Sequence, residues 1–213
     1  MLTIHHLNNS RSQRILWLFE ELGLKYDIVF YKRDAATNLA PPELKAIHPL
    51  GKSPVITDGE VKVAESGAIV EYVLAKYGQG RLQPAKDGAD HWAANHWAYV
   101  EWLHFAEGSA MLPLMLNLYT LRLGEAVGPL KPRIDSEIDN HLSYMAGALG
   151  DKPYLLGQEL TGADILNSFV VEVAKNFGRV AKFPNLAAYV ERLHARPAYK
   201  AALEKGGAYG IGQ

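Results

Sequence analysis

Alternating and periodic hydrophobic positions divide the start of the chain into short strands and helices. The apolar run Leu2–Leu7 predicts a strand, and the β-branched and aromatic run Tyr26–Tyr31 predicts another. Between them, apolar residues recur at helical spacing, and Gly23 follows where a helix should end. Strand, helix and strand within about 30 residues have the size of a βαβ unit.

A similar pattern continues as far as Gly78. Two prolines at 41–42 are typical of the start of a short helix. Two alternating apolar runs then flank Asp58-Gly59, a pair that strongly favours a β-hairpin. A helical segment follows and stops at Gly78. The predicted order of elements is therefore β-α-β-α-β-β-α, which is an α/β arrangement.

The rest of the chain has only helical periodicity. A stretch at 80–89 is rich in glycine and poor in large apolar side chains, which predicts a linker. We therefore expect one domain at 1–79 and an all-α domain at 90–213. Within the second, Thr161 and Asp164 have the spacing of a capping box, which we interpret as purely structural. The predicted helices cover 91 to about 119 with a kink at Pro113, 132–149, 160–177, 184–195 and 198–205.

Composition and charge exclude several classes of protein. Of the 213 residues, 48% are hydrophobic and 21% are charged, which is the balance of an ordinary globular chain. The net charge of −1 gives no overall attraction to nucleic acid or to an anionic membrane. Because the chain has no cysteine, it has neither disulfides nor a cysteine nucleophile. The N-terminal residues lack the pattern of a signal peptide, so we expect a cytoplasmic protein.

Ser10 lies between the first strand and the first helix, and two interpretations of it stay open. Residues 10–13 match an S-x-x-Q capping box between Ser10 and Gln13, and Ser12 is a second candidate for the cap. A helix N-terminus also favours an anion, and a hydroxyl that donates to a thiolate lowers the pKa of that thiol. Lowering it by about two units requires roughly 2.7 kcal/mol, which a charge-assisted hydrogen bond and a helix dipole supply together.

Two further motifs have a structural and a functional interpretation. Ser53-Pro54 is either an ordinary strand start or a cis peptide that turns the Ser53 backbone towards a peptide ligand. Lys52 is either a solvated charge or a clamp for a ligand carboxylate. In Glu65-Ser66, the serine is either a routine helix cap or, with the first helical N–H groups, a site for a carboxylate whose ammonium group binds Glu65.

The order and spacing of these motifs resemble the glutathione S-transferase family, and in particular its serine-type cytosolic members. Ser10 is followed by Arg14 four residues later, then by GKSPV at 51–55, a hairpin, and Glu65-Ser66. The resemblance covers nearly the whole chain. It implies a thioredoxin-like N-terminal domain, an all-α C-terminal domain, a homodimer, and detoxification chemistry with glutathione as co-substrate.

The resemblance also implies a role for each matching residue. Ser10 corresponds to the serine that activates the glutathione thiol. The position before the cis-proline is often Val or Ile in the family, so the contacts of Ser53 with glutathione should come from its backbone. The family's electrophile pocket lies beside the first helix of the second domain, where His104, Gly108 and Met111 are the candidates. The candidate glutathione-binding residues are Lys52, Ser53, Pro54, Glu65, Ser66 and Asn38.

We therefore predict a glutathione transferase whose bound thiolate attacks a small hydrophobic electrophile or reduces an organic peroxide. The alternative is a non-catalytic carrier of glutathione or hydrophobic ligands, or an assembly domain with the same fold. No metal site is expected, because the adjacent His5 and His6 face opposite ways on a strand and His91 and His96 are five residues apart. No nucleic-acid or membrane partner is expected.

Overall fold

The computed structural model describes residues 1–85, 89–207 and 209–210, with the side chains of 89–93 outside that description. The chain divides into two compact units, Met1–Arg81 together with the segment that begins at His194, and Leu82–Leu193. The predicted second domain, 90–213, is therefore corrected at its C-terminal end. Part of the predicted linker, residues 86–88, lies outside the described residues. No helix in the described part of the chain is long and apolar enough to cross a membrane.

The first unit contains a four-stranded sheet with strand order β2-β1-β3-β4. Strand β1 pairs in parallel with β2 and antiparallel with β3, and β3 pairs antiparallel with β4. This arrangement confirms the predicted β-α-β-α-β-β-α order and its thioredoxin-like character. Its elements are β1 (Leu2–Leu7), α1 (Ser12–Leu22), β2 (Asp27–Tyr31), α2 (Pro42–Ile47), β3 (Val55–Asp58), β4 (Val61–Ala64) and α3 (Ser66–Tyr77).

The second unit is helical, as the sequence predicts. A five-residue π turn, Ala106–Ala110, separates its first two helices, and the Met111 N–H donates to the Ala106 carbonyl there. Pro113, where the sequence predicts a kink, lies in the first turn of the helix that follows this π turn, and it has no N–H to give to the Ser109 carbonyl. The helices are α4 (Ala89–Phe105), α5 (Met111–Thr120), α6 (Leu130–Leu149), α7 (Gly162–Asn176) and α8 (Pro184–His194).

The start of α7 confirms the predicted capping box. Thr161 is the N-cap residue, and the reciprocal bonds between its own backbone and side chain and those of Asp164 are both present. Leu160 and Ile165 on either side of this cap are both buried, as a hydrophobic staple requires.

The last helix, α9 (Pro197–Gly206), packs against α1 of the first unit. The Trp17 and Tyr199 rings meet edge to face with their centroids 5.3 Å apart. The Arg196 guanidinium binds the Glu21 carboxylate, with Nε donating to Oε1 over 2.5 Å. These contacts join segments that are far apart in sequence, so periodicity alone assigned α9 to the wrong unit.

Asp58 fastens the β3–β4 hairpin to α3. Its Oδ2 atom accepts hydrogen bonds from Lys76 Nζ over 2.6 Å, Tyr77 OH over 2.5 Å and Tyr72 OH over 2.8 Å. These donors, with Lys76 contributing most, lower the pKa of Asp58 to about 2. The folded pKa lies below the ordinary value, so the carboxylate stabilises the fold above about pH 4 and this contribution is lost as the pH falls towards 2.

We expect Asp58→Asn to lower the free energy of unfolding by about 1 kcal/mol at pH 7, because one acceptor for three donors is weakened at a partly solvated site. Urea unfolding followed at pH 7 and again near pH 2 measures this, and the difference between variant and wild type should shrink at the lower pH. Asp27→Asn, at an exposed position on β2, is the matched control. Equal effects of the two substitutions at pH 7 would contradict the prediction.

Candidate active site

Ser10 and Ser12 form a buried pair of hydroxyls at the turn from β1 into α1. Ser10 is 6% exposed and Ser12 is 0% exposed. Their Oγ atoms are 2.7 Å apart, and the Ser12 N–H donates to Ser10 Oγ over 3.2 Å. Ser12 Oγ also lies 2.8 Å from Nδ1 of His6. Ser10 is therefore the more accessible member of the pair, and Ser12 is enclosed by protein groups.

The predicted caps of α1 are wrong. The helix begins at Ser12, its N-cap residue is Arg11, and the Arg11 side chain makes no cap hydrogen bond. Ser10 Oγ accepts the Ser12 N–H from the position before the N-cap. Both amide atoms of Gln13 are buried without a hydrogen-bond partner among the described residues, so the capping box with Ser10 does not form. The Gln13 amide is instead turned towards α9, where a Cβ atom on Gly206 would lie 2.6 Å from Gln13 Oε1. The Gln13 side chain therefore packs towards α9 and does not cap the helix start.

The Ser53-Pro54 peptide bond is cis, which was the functional alternative for this motif. The Ser53 hydroxyl donates to the His5 carbonyl over 2.9 Å and accepts the Leu7 N–H over 3.3 Å. Both partners lie on β1, so this hydroxyl fixes the cis-proline loop to the strand that leads into Ser10. Because the Ser53 hydroxyl is bonded to β1, the Ser53 backbone is the part of this residue that remains for a contact with a ligand.

Glu65-Ser66 lies where β4 gives way to α3. Ser66 is buried, and its hydroxyl accepts a hydrogen bond from Arg14 Nη2 over 2.9 Å. Glu65 is exposed and has a φ of 70°, a left-handed conformation that is costly for a residue with a Cβ and is concentrated at functional sites. Arg14, identified in the sequence only by its spacing from Ser10, therefore joins the first helix directly to this motif.

Arg33 is a residue of the site that sequence reasoning missed. Its guanidinium donates to the Asn8 carbonyl over 3.1 Å, to the Asn9 carbonyl over 3.1 Å and to the Asn38 carbonyl over 3.0 Å. Asn38 is exposed with a φ of 59°. Arg33 thus holds the turn that contains Asn38 against the turn that precedes Ser10. Its sequence neighbours give no signal that separates it from other arginines of the chain.

Lys52 is exposed, and no residue in the described ranges forms an ion pair with its ammonium group. Its place directly before Ser53 leaves that charge available to a ligand.

His5 and His6 point to opposite sides of β1, as strand alternation predicts. His5 bonds Tyr31 OH over 3.0 Å and Thr57 Oγ1 over 3.3 Å. His6 bonds Ser12 Oγ through Nδ1 and the Gly206 carbonyl through Nε2, the latter over 3.0 Å. Burial lowers the pKa of both rings, with Lys62 adding to the effect at His5. Because the two rings lie on opposite faces of β1 and bond different partners, they do not converge on one metal ion.

Two family models match the chain. The glutathione S-transferase N-terminal domain matches residues 3–75, and the glutathione S-transferase C-terminal domain matches residues 113–197. The chain belongs to the glutathione S-transferase family. The predicted family, fold class and class of enzyme are thereby confirmed.

Relatives of this transferase match along most of their length. Glutathione S-transferase 1 of Saccharomyces cerevisiae is 33% identical, over 99% of this chain and 97% of the yeast protein. Glutathione S-transferase 3 of Schizosaccharomyces pombe is 32% identical, over 96% of this chain and 88% of the relative. The crystal structure of a glutathione S-transferase from Actinobacillus pleuropneumoniae superimposes with a TM-score of 0.87 and 35% identity, covering 98% of this chain and 94% of the other.

The helical unit of the transferase contains a cavity of about 380 Å³. Gly108, one of the three candidate pocket residues, lines it. His104 is exposed on α4 and does not line this cavity. The lining consists of Gly108, Ser109, Leu112, Pro113, Leu116, Leu130, Arg133, Ile134, Glu137 and His141.

Met111 does not contribute to this cavity and belongs to the core, with 1% of its surface exposed. The neighbouring Leu112 is 59% exposed and lines the cavity instead. The π turn accounts for this difference between Met111 and Leu112, because its wider step adds a residue and rotates the following helix relative to regular 3.6-residue spacing. A helical face counted at regular spacing from His104 through Gly108 therefore reaches Met111, one residue before the cavity-lining Leu112.

Proposed function

We propose that this transferase binds glutathione on its first unit and uses Ser10 to hold the thiol as a thiolate. The Ser10 hydroxyl donates a hydrogen bond to the sulfur, which lowers the pKa of the thiol and raises the fraction of nucleophile at neutral pH. The thiolate then attacks a small hydrophobic electrophile or reduces an organic peroxide. Neither reaction requires a nucleophile from the protein.

One observation carries the proposal: three separate loops are each bonded to the β1–α1 segment that holds Ser10. The cis-proline loop is bonded through Ser53 to β1, and the α3 start is bonded through Ser66 to Arg14. The turn at Asn38 is bonded through Arg33 to Asn8 and Asn9. A rigid frame of this kind is what an extended tripeptide needs in order to present its sulfur at a fixed place.

Each loop is assigned one part of glutathione. The Ser53 backbone, beside the cis bond to Pro54, pairs with the central cysteinyl unit as an added strand does. Ser66 and the first N–H groups of α3 bind the γ-glutamyl carboxylate, while Glu65 binds its ammonium group. Lys52 binds the glycyl carboxylate, and Asn38 contributes a further polar contact.

Calorimetry with reduced glutathione, combined with a conjugation assay using a chlorodinitrobenzene, tests the proposed function. We expect binding at millimolar concentration or below and glutathione-dependent conjugation. Binding without turnover of electrophile or peroxide would favour a carrier. The absence of binding at millimolar glutathione would overturn the proposal.

We also propose that the electrophile is bound in the cavity lined by Gly108 and Leu112. Apolar walls with a few polar groups, among them Arg133 and His141, are typical of a small-molecule pocket.

We expect Leu112→Trp to raise the KM for a hydrophobic electrophile by about tenfold, because the larger side chain fills the cavity at a cost of about 1.4 kcal/mol in binding. Steady-state kinetics with each substrate varied in turn measures the effect, and the KM for glutathione should not change. Leu121→Trp is the control, since Leu121 is also exposed but does not line the cavity. An unchanged electrophile KM in Leu112→Trp would place the electrophile elsewhere.

A homodimer is the proposed assembly. Large exposed aromatic rings of the helical unit, Trp97 on α4 and Tyr144 on α6, support it because such rings are enriched at interfaces. Sedimentation velocity gives the mass in solution, and a monomer at micromolar concentration would contradict the dimer.

A further inference from the structure

A continuous chain of hydrogen bonds runs from Ser10 through Ser12 to His6 and ends on the backbone of α9. The distances are 2.7 Å from Ser10 Oγ to Ser12 Oγ, 2.8 Å from Ser12 Oγ to His6 Nδ1, and 3.0 Å from His6 Nε2 to the Gly206 carbonyl. His6, Ser10 and Ser12 are all buried. The conjugation chemistry described above uses only the first of these four groups.

The partner at each end fixes which atoms carry hydrogen. A carbonyl only accepts, so Nε2 of His6 must be the protonated nitrogen. Burial lowers the pKa of His6, so the ring is neutral near pH 7 and its Nδ1 atom is an acceptor. Ser12 therefore donates its only hydroxyl hydrogen to His6, at a shorter distance than the 3.4 Å to the alternative acceptor, the Leu7 carbonyl.

The donor in the hydrogen bond between Ser10 and Ser12 follows from this assignment. Since the Ser12 hydrogen is directed at His6, the contact between the two hydroxyls has Ser10 as its donor. The Ser10 oxygen meanwhile accepts the Ser12 N–H. In this arrangement, the hydrogen of Ser10 thus points at Ser12 Oγ. Donation to a thiolate requires that this chain reverse.

We propose that His6 is the positioning residue for Ser10 and that it receives the proton released by the glutathione thiol. The S–H bond breaks and its proton moves to Ser10 Oγ, while the Ser10 proton moves to Ser12 Oγ and the Ser12 proton moves to Nδ1 of His6. The products are a thiolate, two intact hydroxyls and an imidazolium. Every hydrogen bond is kept and reversed, so that His6 donates to Ser12, Ser12 to Ser10, and Ser10 to the sulfur.

The surroundings of His6 make its charge depend on the ligand. The ring faces the Ser12 hydroxyl of α1, the Gly206 carbonyl of α9 and the Phe30 ring of β2, whose centroid is 5.6 Å away. Among the residues that the structure describes, no carboxylate forms an ion pair with it. The charge that balances an imidazolium here must come from the thiolate, which couples the two ionisations.

Close packing holds the ring in place. A Cβ atom on Gly206 would lie 2.4 Å from Leu16 Cδ1 and 3.3 Å from His6 Cε1, so only glycine allows α9 to bring its carbonyl this near. The Nε2 bond to that carbonyl persists in both charge states, because Nε2 carries a hydrogen in both. The helix end therefore keeps Nδ1 aimed at Ser12 while the proton arrives and leaves.

The inference rests on the proposed role of Ser10, and two measurements on the wild-type protein test it directly. Calorimetry of glutathione binding near pH 7, in buffers of different ionisation enthalpy, counts the protons released. We expect far less than one proton released per thiolate formed, because His6 keeps it. Histidine ¹⁵N NMR should show the His6 ring change from neutral to imidazolium when glutathione binds. Release of one full proton per thiolate, or a His6 ring that stays neutral, would overturn the inference.

Two substitutions separate the proton-accepting role from a purely structural one. His6→Gln keeps a donor for the Gly206 carbonyl but loses the acceptor for Ser12, whereas His6→Asn keeps an acceptor near Nδ1 and loses the titratable ring. We expect His6→Gln to raise the pKa of the bound thiol by about one unit, with about threefold less thiolate at pH 7. We expect His6→Asn to shift it less, and to release a full proton for each thiolate formed.

Ser10→Ala distinguishes failure of this inference from failure of the proposed function. If it leaves the bound thiol pKa unchanged, then Ser10 is not the thiol partner and the role proposed for Ser10 under the proposed function is wrong. If it raises that pKa while wild-type binding still releases a full proton, only the role of His6 is wrong.

Discussion

We expect Ser10→Ala to raise the pKa of the bound glutathione thiol by about two units, back towards the value of ~8.5 for a free thiol. The Ser10 hydroxyl is the proposed hydrogen-bond donor to the charged sulfur. A pKa shift of this size corresponds to about 2.7 kcal/mol. At pH 7, kcat/KM for conjugation should fall by about 25-fold, because the thiolate fraction falls from about three quarters at a pKa near 6.5 to about 3% at a pKa near 8.5. The loss should shrink as the pH rises, because the thiol of the variant also ionises above its own pKa. Ultraviolet absorbance of the bound thiolate against pH measures the shift.

The control substitutions for Ser10 test the hydroxyl itself. Ser10→Thr keeps the donor and should recover most of the thiol ionisation. Ser143→Ala removes a hydroxyl from an exposed position on α6 and should change nothing. Ser10→Ala also removes the acceptor of the Ser12 N–H, so its folding is checked by circular dichroism. A folded Ser10→Ala enzyme with the wild-type pH profile would remove Ser10 from the mechanism.

We expect Asp164→Ala to lower the free energy of unfolding by about 3 to 5 kcal/mol, the largest stability effect that we predict. The carboxylate is buried and accepts the N–H groups of Leu155 and Thr161, each over 2.8 Å. It also accepts the Thr161 hydroxyl over 2.9 Å and the Tyr189 hydroxyl over 3.0 Å. Burial raises the pKa of Asp164 in spite of these donors. Alanine would leave four buried donors without their acceptor.

Urea unfolding measures the loss of unfolding free energy in Asp164→Ala, and two further variants serve for comparison. Tyr189→Phe removes one of the four donors and should cost about 1 kcal/mol. Asp151→Ala, at an exposed position in the same unit, should have little effect. Below the unfolding transition, glutathione affinity of Asp164→Ala should equal that of wild type, because the residue acts on folding alone. A stability loss no larger than that of Asp151→Ala would contradict the prediction.

The sequence by itself determined the elements whose signals are local. The Asp58-Gly59 turn, the left-handed Gly23 and the Thr161–Asp164 cap each depend on a few neighbouring residues, and all three are found where the pattern predicts. The order of motifs around Ser10 was also enough to predict the family, because the spacing of loops on a common fold is carried by the sequence.

The structure departs from the sequence pattern where packing competes with a local preference. Gln13 fits a capping box with Ser10, but its amide is buried towards α9 instead. Met111 fits a regular helical face, but the π turn before it rotates its side chain into the core. In both cases a contact or a backbone irregularity outside the local window decided the outcome.

Only the tertiary structure decided how the site is held together. The bond from His6 to Gly206 joins residues 200 positions apart, and Arg14 reaches Ser66 across 52 positions. No periodicity or spacing in one sequence predicts such pairs, because they depend on where the chain returns after folding. The sequence therefore placed two hydroxyls near the helix start, and the fold decided where they point, because their hydrogens follow His6, whose ring is held by the distant Gly206 carbonyl.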